Sequence, residues 1–338
     1  MATTRSAVLG EESRSKARDS SPRTSGRTML PPPELLPEVL PTDRLTATGR
    51  PVPPIREELR RIPDVRNVVT VLGAYGQSFG VIGAAIALDR WWAYVAAFLL
   101  VGRAHALLNI LGHEAAHRLL FSKKRSNDLV GRWLLSYPSF TPFDAYRRAH
   151  MAHHKEEFGP DEPDLDLYNG YPIPFASFRR KLTRDALFVS GSKNMKALWR
   201  AFRRPQSRPY VRDIFLTHAV IAAAFALAGH WWAYPLLWVA PWMTVWKVLN
   251  RLRAIAEHGG MTRSDDRRLT THHVRQRPLA RFWMVPYNTG WHLAHHVDSG
   301  IPFRNLPRLH AELVAAGWVT PELEYPSYRA LWRALASG

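Results

Sequence analysis

His150-Met151-Ala152-His153-His154 sets three imidazoles at i, i+3 and i+4, a spacing that puts all of them on one side of a helix. The pattern returns at His292-Leu293-Ala294-His295-His296, and His113 with His117 forms an i, i+4 pair upstream. Eight of the 15 histidines thus fall in three clusters. Three such faces point to a metal site and to more than one ion, because a tetrahedral zinc uses only about four donors. Neutral imidazole binds Zn, Fe, Cu and Ni alike. Two ions sharing these nitrogens would each keep an open position, which suits O₂ chemistry on a redox metal, so iron is the expected ion. A competing reading takes His113-Glu114-Ala115-Ala116-His117 as the H-E-x-x-H signature of a membrane zinc metalloprotease, with Glu114 as general base. Such an enzyme has no use for two further HxxHH clusters.

Outward from the clusters, apolar runs alternate with basic segments. Residues 68–88 and 91–111 are almost free of charge, apart from Asp89-Arg90 between them and Arg103 and His105 inside the second run. Two more runs, 214–229 and 231–249, are separated by His230 alone. Runs of about 20 apolar residues cross a bilayer. The fold class expected is therefore all-α: four transmembrane helices in two hairpins, with a helical cytoplasmic cap formed by 112–212 and 250–330. Four buried helices of a soluble bundle are the alternative. Both hairpin tips carry one tetrapeptide, Trp91-Trp92-Ala93-Tyr94 and Trp231-Trp232-Ala233-Tyr234. Trp and Tyr favour the membrane–water interface, so both tips should lie at one interface.

Nearly all other Lys and Arg lie outside the tips, which places the remaining segments in the cytoplasm by the positive-inside rule. With four crossings, His113 and His117, the 150–154 cluster, His258 and the 292–296 cluster all emerge on that one side. The topology follows from apolar runs and basic residues alone, so the convergence of the histidines is an internal check.

The 338 residues carry a formal net charge of +18, are 46% hydrophobic and include 13 Trp and no Cys. A basic excess suits anionic lipid or an acidic protein partner, and no nucleic-acid-binding motif accompanies it. Without Cys, disulfides, iron–sulfur clusters and thiolate zinc sites are excluded within the chain. Residues 1–54 are rich in Ser, Arg, Thr and Pro and read as a disordered arm, and 55–330 as the membrane domain.

HxxxH, then HxxHH, then HxxHH, with a hydrophobic hairpin before the first and another before the third, resembles the integral-membrane fatty acid desaturase family. Membrane hydroxylases and carotenoid ketolases share the pattern. The resemblance implies a diiron enzyme that uses O₂ and two electrons to remove two hydrogens from a lipid acyl chain. It carries the family's histidine boxes onto His113 and His117, onto His150, His153 and His154, and onto His292, His295 and His296. It adds a ninth donor, His258. In some animal members an asparagine one turn before that histidine contacts a metal-bound water; Ala254 stands there instead, and Asn250 is a further turn away. A hydroxylase or ketolase on the same scaffold remains the alternative, because the boxes do not set the second step.

A ligating His needs an acceptor for its other N–H. Asp161, Glu162, Asp164, Asp166, Asp298 and Asn109 are the candidates, of which two at most are expected to serve, and Glu257, next to His258, is a further one. Trp291 and Trp246 either line an acyl tunnel or pack. His105, His218, His230 and His310 are expected to be structural, and the pair His272-His273 a minor ligand candidate. The chain has no dinucleotide fingerprint and no His-Pro-Gly-Gly haem signature, so electrons must come from a separate ferredoxin or cytochrome b5-like donor.

Overall fold

The computed structural model describes residues 29–338. The described residues are mostly helical, with one two-residue pair of strands among them. Helix α1 (Asp64–Leu88) begins with Asp64 in its first turn and stops where Asp89 turns left-handed, at φ 45°. Helix α2 (Trp91–Ala116) returns at once, and Tyr94 Oη donates to Asp89 at 2.9 Å across the tip. Leu72 is 65% exposed and Val69 64%, so the outer face of α1 is apolar and uncovered. In contrast, α2 is buried on nearly all sides from Val101 onward, its polar residues Arg103, His105, His113 and Glu114 included.

Among the described residues, three helices are long and apolar enough to cross a membrane: α1, α2 and Arg208–Leu227. The four uninterrupted spans expected from the sequence are therefore not all present. The fourth run, 231–249, is an irregular helix that passes through a π-helical stretch, Pro235–Val239, and breaks at Thr244, which lies at φ −125°, ψ −83°. Pro235 and Pro241 lack the N–H that a regular helix needs there. The irregular backbone is satisfied by side chains. Trp238's carbonyl accepts from His105 Nε2 at 3.0 Å, and Thr244 Oγ1 donates to Ala240 O at 2.7 Å. Close approach to α2 is possible because Gly102 has no side chain: a Cβ there would lie 2.3 Å from Val245 Cβ.

The two aromatic tips are in contact. The rings of Tyr94 and Trp232 sit edge to face at 5.6 Å, and Trp91 and Trp231 point outward. At the opposite end the other helices gather: α3 (Phe143–Glu156), α4 (Val245–His258), the short α5 (Pro278–Trp283) and α6 (His292–Val297). Strand β1 (His273–Val274) pairs in parallel with β2 (Glu324–Tyr325) at the edge of this region.

The expected arm divides in two. Residues 1–28 lie outside the described residues. Residues 29–54, expected to be disordered, pack onto the body instead: Leu45 is buried in the main core, and Arg44 pairs with Glu312 at 2.7 Å. A few apolar anchors hold a Pro-rich strap that has no periodicity of its own.

Candidate metal centre

Each histidine cluster is delivered by a helix end. His113 and His117 lie at the end of α2, where Arg118 turns left-handed at φ 61°. His150, His153 and His154 occupy the last two turns of α3, and His258 is the last residue of α4. The six-residue α6 carries His292, His295 and His296. All nine come together at the convergence of these four helices.

They form two adjoining groups. In the first, donor atoms of His113, His117, His150, His154 and His295 all lie within 4.8 Å of one another. In the second, donor atoms of His153, His258 and His296 meet the same limit, and His292 Nε2 lies 3.1 Å from His258 Nε2 and 3.0 Å from His296 Nε2. The groups touch through the stacked rings of His154 and His296, whose centroids are 4.4 Å apart. Glu157 shares a third set of donors with those two rings.

The distances are those of nitrogens that share an ion. His150 Nε2 faces His117 Nε2 at 2.9 Å and His154 Nε2 at 3.2 Å, and His154 Nε2 also faces His295 Nε2 at 3.0 Å. Nitrogens at roughly 2.1 Å from one ion and at right angles are roughly 3.0 Å apart. Burial, reinforced by neighbouring histidines, holds His150, His154, His258, His292, His295 and His296 well below the usual imidazole pKa, and burial holds His117 down at about 3. Each of these rings is therefore neutral, with one N–H and one lone pair, and a ring whose N–H is used outside the cluster, as in His258, presents its lone pair inward. His113 Nδ1 is buried without a hydrogen-bond partner.

The outer nitrogens fix the tautomers. His258 Nδ1 donates to the Thr270 carbonyl at 2.9 Å, which leaves Nε2 free to bind. His153 Nδ1 donates to Glu162, and His296 Nδ1 to Glu157. His153 is the exception in charge: burial lowers its pKa, but the hydrogen bond and charge of Glu162 outweigh that and raise it. His292 Nδ1 lies 3.6 Å from Glu257, which pairs in turn with Arg253 at 3.3 Å.

Of the proposed acceptors, Glu162 and Glu257 therefore stand beside box histidines. Asp298 does not: it pairs with Arg56 at 2.5 Å and anchors the segment before α1. Asn109 bonds the His105 carbonyl and Thr141, and Asp161 and Asp166 are exposed. Glu157 escaped sequence reasoning, although it lies three residues past the second box. Its helix ends at Glu156, and the extended backbone at Glu157 turns that carboxylate back toward α6. The other histidines are structural. His105 bonds Ser139 and Trp238, His218 bonds Tyr137 and Tyr234, and His272 Nε2 donates to the Gly259 carbonyl at 2.7 Å. His273 packs on His310. Trp246 is buried in the main core, whereas Trp291 caps α6 beside His292 and is half-buried.

Comparison with known proteins agrees with this geometry. The family model described as "Fatty acid desaturase" matches residues 89–332, most of the chain and all nine histidines. The chain belongs to the fatty acid desaturase family. It is 29% identical over 256 residues to dihydrorhizobitoxine desaturase of Bradyrhizobium elkanii, which covers 69% of this chain and 72% of that one. It is 24% identical over 280 residues to an sn-1 oleoyl-lipid 12-desaturase of Picosynechococcus sp., covering 73% and 74% respectively. To an sn-1 acyl-lipid omega-3 desaturase (ferredoxin) of Nostoc sp. it is 22% identical over 303 residues, covering 80% and 82%. The chain is thus an oxidoreductase with a histidine-rich metal site and membrane helices, and the zinc-protease alternative falls. Glu114, the general base of that alternative, instead accepts from the Phe303 N–H at 2.9 Å.

Proposed function

We propose that this desaturase holds two iron ions and introduces a double bond into a fatty acyl chain of a lipid. The single observation that carries the reading is the convergence of nine imidazoles into two adjoining sets of donors. One set would comprise His113, His117, His150, His154 and His295, and the other His153, His258, His292 and His296. Iron bound there would supply the redox chemistry of O₂ reduction. The overall balance is –CH₂–CH₂– + O₂ + 2 e⁻ + 2 H⁺ → –CH=CH– + 2 H₂O.

The chain's own part is to bind, orient and exclude water. Glu157, Glu162 and the Thr270 carbonyl hold Nδ1–H on three rings and aim each Nε2 inward. Arg267, at 2.7 Å from Glu157, keeps that carboxylate in place. Burial of the box histidines keeps bulk water from the reacting groups.

The chain crosses the membrane four times, with the irregular 231–249 stretch as the fourth crossing, and the metal centre lies on the cytoplasmic side. Electrons come from a separate acidic carrier, a ferredoxin or cytochrome b5-like protein. The chain has no Cys for a cluster, and one relative is named for ferredoxin. Lipid mass spectrometry of cells with and without the gene tests the assignment. The expected result is a new double bond in an acyl chain, abolished by His153→Ala while the protein remains in the membrane. A new hydroxyl or ketone instead, or full activity in the variant, contradicts it.

A further inference from the structure

Arg103 lies in the middle of α2, a helix apolar enough to cross a membrane, yet the residue is 8% exposed. A buried guanidinium in such a setting is costly unless an anion compensates it. Its protein partners are all neutral. Nε donates to the Phe282 carbonyl at 2.6 Å, Nη1 donates to Gln77 Oε1 at 2.7 Å, and the Phe282 ring stacks against the guanidinium at 3.9 Å. Among the described residues no carboxylate pairs with it.

The same guanidinium borders a cavity of about 380 Å³, lined also by Gln77, Leu107, Arg281, Pro286 and Tyr287. Arg281, on α5, is a second cation without a carboxylate partner among the described residues: it donates to Asn288 Oδ1 at 3.2 Å and lies over the Trp291 ring. The rest of the lining is largely apolar: Leu107, Pro286 and the exposed ring of Phe282. Two cations lining one cavity, the buried Arg103 and the exposed Arg281, among apolar side chains and beside membrane helices, suit a molecule with an anionic head and an alkyl chain.

Side-chain contacts connect the cavity's lining to the metal centre. Arg103 precedes His113 by ten residues, about 15 Å along the helix. Tyr287 packs on Phe303 at 5.7 Å, and Phe303 lines a small void with His113, His292 and His295. On the other side, Arg281 stacks on Trp291, the neighbour of His292.

We propose that Arg103 and Arg281 form a binding site for the anionic oxygen group of the substrate, a carboxylate or a phosphate, and so set how far along the alkyl chain oxidation occurs. The proposal rests on the desaturase reading for the fate of the chain, but the site itself can be read without turnover. The experiment measures equilibrium binding to the full-length, metal-loaded protein in detergent. The probes are alkyl chains of one length ending in a carboxylate, a phosphate or an uncharged alcohol. The wild type should bind at least one anionic probe about tenfold more tightly than the alcohol, and the preferred head tells a free acid from a phospholipid. Arg281→Gln, on an exposed helix face, should remove most of that preference while iron content and alcohol binding stay unchanged. Arg103→Gln should do the same if it folds. Equal affinity for all three heads, or an Arg281→Gln protein that keeps the full preference, overturns the proposal. Loss of desaturation with intact anion preference would instead sink only the assigned reaction.

Discussion

At the scale of single residues, the proposed ligands depend on the groups that hold their outer nitrogens. Glu157 accepts from His296 Nδ1 and is itself held by Arg267, so it fixes both the tautomer and the ring's direction. Removing its charge while keeping its shape should loosen that ring without unfolding the helices. Glu157→Gln is expected to weaken metal affinity by about 10–100-fold, read as iron retained during dialysis against a graded chelator. Retention equal to the wild type would show that Glu157 only balances Arg267. The boxes were legible in the sequence because i, i+3, i+4 spacing survives any tertiary arrangement. The acceptors were less so. Glu162 and Glu257 were recoverable by nearness to a box, whereas Asp298 is equally near and turned out to serve Arg56. Glu157 was missed because its role depends on where α3 stops, which nothing in His153-His154-Lys155-Glu156-Glu157 announces.

At the scale of elements, the hairpin of α1 and α2 was plain from two charge-free runs parted by Asp89-Arg90. The 231–249 run misled, since hydropathy sees Pro235 and Pro241 as apolar while the backbone loses two donors there. His105, Trp238 and the missing side chain of Gly102 accommodate the resulting break. The β1–β2 pair was invisible, being two residues long. It rests on buried imidazoles that must stay neutral. Burial lowers His272, His273 and His310 from 6.5 to about 4. The unfolded chain therefore binds more protons between pH 6.5 and pH 4. The stability these residues contribute is intact above pH 6.5 and is lost as pH falls through that window, by up to on the order of 3 kcal/mol each. Hydrogen exchange at Arg275 and its neighbours should accelerate at pH 5 relative to pH 7.5, after correction for intrinsic rates. Unchanged or slower exchange at the lower pH would contradict this.

At the scale of the whole molecule, the chain is organised as two ends. Aromatic tips gather at one, where Tyr94 meets Trp232, and every box histidine gathers at the other. That division was readable in advance because Trp-Trp-Ala-Tyr repeats and because Lys and Arg avoid both tips. The packed strap at 29–54 was not readable, since its few anchors, Leu45 and Arg44 among them, follow no period. The central claim is that the histidine end holds a pair of irons. Elemental analysis of the purified full-length protein, loaded anaerobically with ferrous iron and freed of loose metal, tests it most directly. Two irons per chain in the wild type, with His153→Ala losing at least one, is the predicted result. A single bound ion, or zinc held in preference to iron, would contradict the account.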